Sequence, residues 1–361
     1  MFLKTANEVK QERHEAAEAT RADELTHEFV KMMDTWHSKP EPFDSKLEAY
    51  LLRCKSEILL SPIGKKEEGK NYFTPSSANS CPRELFHRLR GDERDELDDQ
   101  PHQGRWKRMG TAFGEKIQRD LLYIHKHYMK KVGEKPPFVP LYRELELGGT
   151  IRKVPFWEEF AKKTLTVKHE GLEINIQGQP DGILKFKDDT IVGLEIKSKQ
   201  TSYNRTSKFS MKEPEESHAR QVAAYSLLYG VDEFIIMYGN LAKKSWELSE
   251  EDYNKYPDLR AFYVKVSEDD KKRLLDYFVS ILKAVKENNP PKLDPDKWKF
   301  NRYKTACIKS MTREEFEEIV EEYETCVEEA KRLDKVPRSL QNRIDNLLDI
   351  IHFARAIKSN G

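Results

Sequence analysis

QGQPDGILKFKDDTIVGLEIKSK, residues 177–199, holds two apolar runs joined by a short polar connection, and its reading decides the fold. Side chains two apart on a strand share a face, so Val192, Leu194 and Ile196 form a buried face while Glu195 and Lys197 point together to the other side. On the preceding run Leu184 and Phe186 are the core candidates, and Asp181, Ile183 and Lys185 point oppositely. Matching the two core faces across an antiparallel pair predicts Leu184 opposite Leu194 and Phe186 opposite Val192, with Asp188-Asp189-Thr190 as the connection. Asp181 then emerges beside Lys197, on the face of Glu195. A slip of one residue would send a strand's whole side-chain set to the opposite face, so the core pattern and the polar pattern demand the same register.

Two carboxylates converging on one face can hold Mg²⁺ or Mn²⁺, hard cations that take oxygen ligands. The expected ligands are Asp181, Glu195 and the Ile196 carbonyl. Such an ion suits a reaction in which charge builds on a scissile phosphate. Lys197 is placed to orient or deprotonate an attacking water, or to stabilise the transition state. Taken alone, the same residues also fit a surface hairpin with scattered charges.

The pattern extends further. Pro180-Asp181 is followed after thirteen residues by Glu195-Ile196-Lys197, and downstream stands HARQVAAYSLLYG, residues 218–230. Gln221 and Tyr225 are four apart and share a helix face, Gly230 is a C-cap candidate, and EFIIMYG after it reads as a strand. Together these residues resemble the RecB-type exonuclease branch of the PD-(D/E)XK nuclease superfamily, which includes phage recombination and CRISPR-adaptation exonucleases. The resemblance covers residues 76–286. It implies an α/β fold with a restriction-endonuclease-like core, a mixed central sheet flanked by helices, and helical N- and C-terminal extensions. It further implies a metal-dependent DNA nuclease working from DNA ends in recombination, repair or phage DNA metabolism. Asp181, Glu195, Lys197, Gln221 and Tyr225 would be its catalytic residues, DNA its substrate, and a recombination or replication protein its partner. Two other readings share the fold: a site- or structure-specific endonuclease, and a nucleic-acid-binding or assembly protein without activity.

Two places depart from the family pattern. A Gly-Thr pair followed by a metal-binding histidine is expected, and here the run is Gly110-Thr111-Ala112-Phe113-Gly114-Glu115, with glycine at the histidine position. Glu115 is the nearest ligand, and a carboxylate suits Mg²⁺ better than imidazole; it could equally complement a helix N-terminus. Relatives resembling this chain place the first ligand of an iron–sulfur cluster at a cysteine corresponding to Cys81, and three more near the C-terminus. DKWKFNRYKTAC, residues 296–307, keeps Trp298, Tyr303 and Cys307 alone, while Cys54 and Cys326 lie outside the pattern. An iron–sulfur cluster is therefore not expected, and Cys81 and Cys307 read as small buried residues.

The 361 residues carry no net charge and are 35% charged, which implies a core wrapped in highly charged helices. Any basic surface must be local. Arg105, Lys107 and Arg108 around Trp106 suggest phosphate contacts with an aromatic for stacking, or a helix whose Trp packs inside. Lys199, Arg205, Lys208 and Lys212 punctuate a long polar loop that suits nucleic-acid contact. No apolar run approaches a membrane span and MFLKTANEVKQER lacks a signal-peptide core, so the expected compartment is cytoplasmic, without a membrane partner. Ser80 is a candidate helix cap. The expected division is a helical extension over 1–70, a nuclease core over 71–290 and a helical extension over 291–361, the last containing a helical hairpin with apolar stripes through Phe316, Ile319 and Tyr323 and through Ile344, Leu347 and Ile351.

Overall fold

A computed structural model describes residues 6–63, 70–96 and 100–359. Helices α1 (Ala6–His37), α2 (Ser45–Leu60), α3 (Pro82–Arg90) and α4 (Pro101–Val132) come first. Strands β1 (Phe138–Pro140), β2 (Tyr142–Leu147) and β3 (Thr150–Pro155), the short α5 (Glu158–Ala161), then β4 (Lys163–His169), β5 (Leu172–Gly178), β6 (Gly182–Phe186) and β7 (Ile191–Lys199) follow. Next are α6 (Glu216–Tyr229), β8 (Glu233–Asn240), α7 (Glu250–Lys255), β9 (Leu259–Lys265) and α8 (Glu268–Glu287). The chain ends with α9 (Lys304–Lys309), α10 (Arg313–Lys331) and α11 (Arg338–Ser359). No helix among the described residues is long and apolar enough to cross a membrane.

The chain forms two compact units. One takes Met1–Lys70, Asp99–Leu165 and Ile176–Lys271; the other takes Asn71–Asp98, Thr166–Asn175 and Lys272–Gly361. They interleave along the chain. In the first unit Leu25, Phe29, Met32, Met33 and Trp36 of α1 are buried with Phe138, Leu184, Val192 and Leu194 in one core. A helix with that much apolar surface is part of the first unit's core and not an appendage.

The first unit is a mixed α/β layer structure. Its sheet has the order β1-β6-β7-β8-β9, with β7 and β8 parallel and the other neighbours antiparallel. The parallel pair is joined through α6, which ends at Gly230 in the left-handed region (φ 67°). Strand β1 ends in Pro140. It lies at the sheet edge, where a proline is tolerated because one side of the strand needs no ladder donors.

The β6–β7 register corrects the sequence expectation by two residues. Leu184 stands opposite Val192 and Gly182 opposite Leu194, not Leu184 opposite Leu194. The turn explains the offset. Asp189 takes the left-handed conformation (φ 71°), the Phe186 N–H donates to the Thr190 carbonyl at 2.9 Å, and Asp188 Oδ1 accepts from the Thr190 N–H at 3.0 Å. Asp and Asn tolerate that backbone and make such local bonds, so the connection is Lys187-Asp188-Asp189. A shift by two preserves the side-chain faces, and Leu184, Phe186, Val192 and Leu194 all remain in the core as expected.

In the second unit α10 and α11 pack with Cys81, Leu293, Trp298, Cys307 and Ile308, using Ile319 from one helix and Leu347, Ile350, Ile351 and Ala354 from the other. Thr312 and Glu315 cap α10 reciprocally. Cys81, not Ser80, occupies the N-cap of α3, because Pro82 takes the first helical position. Cys81 and Cys307 are fully buried free thiols; Cys81 Sγ accepts from the Asp294 N–H at 3.3 Å and Cys307 Sγ from the Asn301 side-chain amide at 3.4 Å.

Two glycines of the first unit make a stability test. A Cβ at Gly193 would lie 2.1 Å from the ring of Phe234, its fully buried neighbour on β8, whereas a Cβ at Gly114, inside α4, meets nothing within 4 Å. Gly193→Ala is expected to destabilise by ~1–3 kcal/mol through overpacking. Gly114→Ala is expected to stabilise by ~0.5–1 kcal/mol through helix propensity. Urea unfolding midpoints of the two variants check both signs.

Candidate active site

The site forms where β6 and β7 part. Continuing the register one step beyond Gly182 brings Asp181 level with Glu195, instead of with Lys197. Asp181 Oδ2 accepts the Ile196 N–H at 2.6 Å. The N–H and C=O of one strand residue point to the same edge, so the Ile196 carbonyl is directed to this side too. The residue opposite it in register is Pro180, which has no N–H, and β6 therefore cannot offer that carbonyl a ladder donor.

Glu195 is 1% exposed. Its Oε1 pairs with Lys197 Nζ at 2.5 Å, and its buried Oε2 has no hydrogen-bond partner among the described residues. Buried polar atoms are nearly always satisfied, and an unpartnered carboxylate oxygen is among the costliest to leave. Lys197 Nζ donates to Gln221 Oε1 at 3.1 Å, and Gln221 Nε2 lies 3.4 Å from the Tyr225 hydroxyl. Gln221 and Tyr225 are thus brought to the same place by one face of α6, as their spacing predicts. Burial and then the charges of Glu195 and Asp181 push the Tyr225 pKa up, so its hydroxyl keeps its proton.

Sequence reasoning missed a third carboxylate. Glu158 opens α5 with φ 43°, an uncommon conformation for a residue with a side chain. Its N–H donates to the Pro180 carbonyl at 2.9 Å, and its carboxylate accepts from Gln179 Nε2 at 2.9 Å and from Gln118 Nε2 at 3.4 Å. Gln118 also donates to the Asp181 carbonyl at 2.8 Å, tying α4 to the start of β6. Gly114 and Gln118 are one helical turn apart, and both line a cavity of about 530 Å³ together with Glu158, Asp181, Glu195 and Lys197. The available signal was the flanking Trp157 and Phe160, large apolar residues that had to be buried and so anchor the short charged segment inside.

The carboxylates feel one another. Burial, then the charge of Asp181, raises the Glu158 pKa to about 7. Burial, then Glu195, raises Asp181, and Glu195 itself is raised by burial against the opposing pull of Lys197. Desolvation and like-charge repulsion both favour the protonated forms, and a divalent cation would relieve both at once. Oxygen donors alone, one of them without a partner, fit Mg²⁺ or Mn²⁺.

The remaining expected residues are placed as follows. Glu115 lines the same cavity at its exposed side, 3.4 Å from Lys55 Nζ. Trp106 is 44% exposed, with Arg105, Lys107 and Arg108 exposed around it, so the packed-Trp alternative does not hold. Lys199 is committed to Glu215 Oε1 at 2.5 Å, Arg205 is half exposed with Glu215 at 3.9 Å, and Lys208 is exposed. In the second unit His169, Glu170 and Asp276 hold ligand atoms within 4.8 Å of one another, and His169 and Glu170 are already engaged by Asp276 and Lys283.

No protein-family model and no curated protein matches the chain. Solved structures that resemble it include SSO0001, at 14% identity over 72% of this chain and 96% of that one, with a TM-score of 0.37. An alkaline exonuclease from Laribacter hongkongensis matches at 13% identity over 65% and 94%, TM-score 0.34. A phage-related exonuclease from Haemophilus somnus 129PT matches at 14% over 65% and 93%, TM-score 0.31. At these identities and scores the reading of the site rests on its own geometry.

The raised Glu158 pKa carries a sign. Between about pH 4.5 and 7 the folded chain holds a proton that the unfolded chain has released, so this group's contribution to stability falls as pH rises. The stability of wild type minus that of Glu158→Gln is expected to fall across that window, and Mn²⁺ to flatten the decline. Thermal unfolding of both proteins at pH 5 and pH 8, with and without Mn²⁺, measures it; a difference independent of pH contradicts the assignment.

Proposed function

We infer that the chain is a nuclease with a restriction-endonuclease-like core, hydrolysing phosphodiester bonds of DNA with Mg²⁺ or Mn²⁺, and acting as an exonuclease in recombination, repair or phage DNA metabolism. The observation that carries this reading is the buried, unpartnered Oε2 of Glu195 beside Asp181, with Lys197 on the other oxygen. The PD-(D/E)XK pattern of Pro180, Asp181, Glu195 and Lys197 supports it independently.

Asp181, Glu195 and the Ile196 carbonyl would hold the cation, with Glu158 beside them and Glu115 at the exposed side of the cavity. A cation there supplies Lewis-acid stabilisation of charge developing on phosphate oxygens. The other tasks fall to the chain. Lys197 has three N–H donors, of which two go to Glu195 and Gln221, leaving one for a water or a phosphate oxygen. Gln221 fixes the direction of that donor, and Tyr225 stands behind Gln221 as a positioning residue. Glu158, which lines the same cavity as Asp181, Glu195 and Lys197, is placed to take a proton from an attacking water. Exposed Arg105, Arg108, Arg205 and Lys208 are the groups available to phosphates, while Lys199 would first have to leave Glu215.

The test is incubation with linear and closed circular DNA, with Mg²⁺, Mn²⁺ or chelator. Linear DNA is expected to be degraded with either metal and spared in chelator, with circles resistant. Lys197→Ala leaves the carboxylates in place, so DNA affinity should change little while cleavage falls by about 10²-fold or more. Equal cleavage by the two proteins removes Lys197 from the mechanism. Wild type that cleaves neither DNA nor RNA but binds them makes the chain a nucleic-acid-binding protein on an inactive nuclease fold.

A further inference from the structure

Strands β7 and β8 run parallel, and in open sheets of this kind ligands collect outside the carboxyl ends of the strands. At that edge lies a second cavity, of about 510 Å³, lined by Tyr203, Lys243, Lys244, Trp246 and Tyr256 among others. The indole of Trp246 is 100% exposed. Of the five tryptophans, Trp36, Trp157 and Trp298 are buried and Trp106 is 44% exposed, so Trp246 alone gives its whole surface to solvent. A large aromatic held fully in water calls for a function in a way that scattered exposed leucines do not.

The loops that carry Tyr203 and Trp246 are anchored to each other. The buried side-chain amide of Asn240, the last residue of β8, donates at 3.0 Å to the carbonyls of Ser202 and Tyr203 and to Thr206 Oγ1, and its Oδ1 accepts the Ala242 N–H at 3.0 Å. One residue thereby fixes the loop that follows β7 to the loop that follows β8. Tyr256 meets Tyr203 edge-on, with ring centroids 5.4 Å apart, and so orients the Tyr203 ring. Lys244 lies over the Tyr256 ring and pairs with Asp252 at 2.8 Å, while Lys243 pairs with Asp258. Asn240 stands beside Lys199 in register, two residues beyond the level of Lys197, which is ~7 Å along the strand. The two loops that Asn240 ties together, which carry Tyr203 and Trp246, therefore leave the sheet at the same strand ends, just beyond Lys197.

The geometry points to a stacking platform at Trp246 and Tyr203 for an unpaired nucleotide of the strand being fed to the active site, an inference that rests on the nuclease reading. Flat aromatic faces suit nucleobases whatever their sequence. The charge of the cavity lining favours base over backbone: Lys243 and Lys244 are partnered by aspartates, Lys255 lies over the Tyr256 ring, and Glu247, Glu250 and Glu251 are exposed close by in the chain. Such a surface disfavours a duplex with its dense phosphates and favours contact led by the base. The contribution of Trp246 should accordingly be nearly independent of salt.

The test uses the full chain in chelator, so that binding is read without cleavage. A short oligo-dT strand and a blunt duplex of equal length are titrated against wild type, Trp246→Ala, Trp246→Phe and Trp106→Phe, with fluorescence anisotropy of labelled DNA and intrinsic tryptophan emission as readouts. Trp246→Ala is expected to weaken single-strand binding roughly tenfold or more, at low and high salt alike, with blunt-duplex affinity unchanged. Trp246→Phe should keep the affinity and lose more of the quenching of emission than Trp106→Phe does. Wild-type affinity of Trp246→Ala for the single strand, equal losses on both DNAs, or no single-strand binding by wild type each overturns the platform. The two readings fail separately: wild type that cleaves DNA while Trp246→Ala binds normally keeps the nuclease and loses the platform. A chain that stacks oligo-dT on Trp246 and cleaves nothing does the reverse.

Discussion

The hydrogen bond from the Ile196 N–H to the Asp181 carboxylate is the contact on which the site depends. It forms because β6 starts at Gly182, one residue after Asp181, and because the proline before Asp181 cannot continue the ladder. The carboxylate thus replaces a backbone partner, and the strand edge that would have been sealed is open to a ligand. Directly across the register, Glu195 is held in the same low-dielectric space with one oxygen neutralised and one not. One lysine shares the cavity with three buried or half-buried carboxylates, and with all three ionised that arrangement is unfavourable until protons or a further positive charge neutralise it. The other end of the hairpin is clasped by α1, whose Arg21 donates to Asp188 at 2.7 Å, to Thr190 at 2.5 Å and to Glu233 at 3.1 Å. Packing therefore fixes both ends of the strand pair that presents the carboxylates.

Much of this was legible in the sequence because strand periodicity has only two outcomes. Whether Glu195 and Lys197 face the cavity is a question of parity, and the alternation of Val192, Leu194 and Ile196 answers it without the exact register. The register itself depended on which residue of Lys187-Asp188-Asp189-Thr190 turns left-handed, a choice among residues of similar propensity, and the pattern could not resolve a shift of two. Gln221 and Tyr225 were readable for the same kind of reason, since helical spacing fixes their common face whatever they touch.

Glu158 and Gln118 were not readable, and the cause is physical. Neither stands in a spacing relation to Asp181 or Glu195; each is delivered by a separate element, α5 through a backbone bond to Pro180 and α4 through packing on the sheet. The close approach of α4 is itself written in small residues, since a Cβ at Gly110 would come within 3.2 Å of Ser198. Which polar residues of a helix the tertiary contact selects is not a property of the helix alone. Trp246 belongs to the same class: an exposed tryptophan in a charged loop has no periodicity to announce it, and only the fold groups it with Tyr203 and Tyr256 around one cavity.

The most direct measurement is a crystal structure of the chain grown or soaked with Mn²⁺, with anomalous scattering recorded near the manganese absorption edge. The expected result is a peak within bonding distance of Glu195 Oε2 and Asp181, approached by the Ile196 carbonyl, that is lost in Glu195→Gln. An empty cavity with Mn²⁺ bound elsewhere, or a peak that survives Glu195→Gln unchanged, would contradict the assignment of these residues as a cation site.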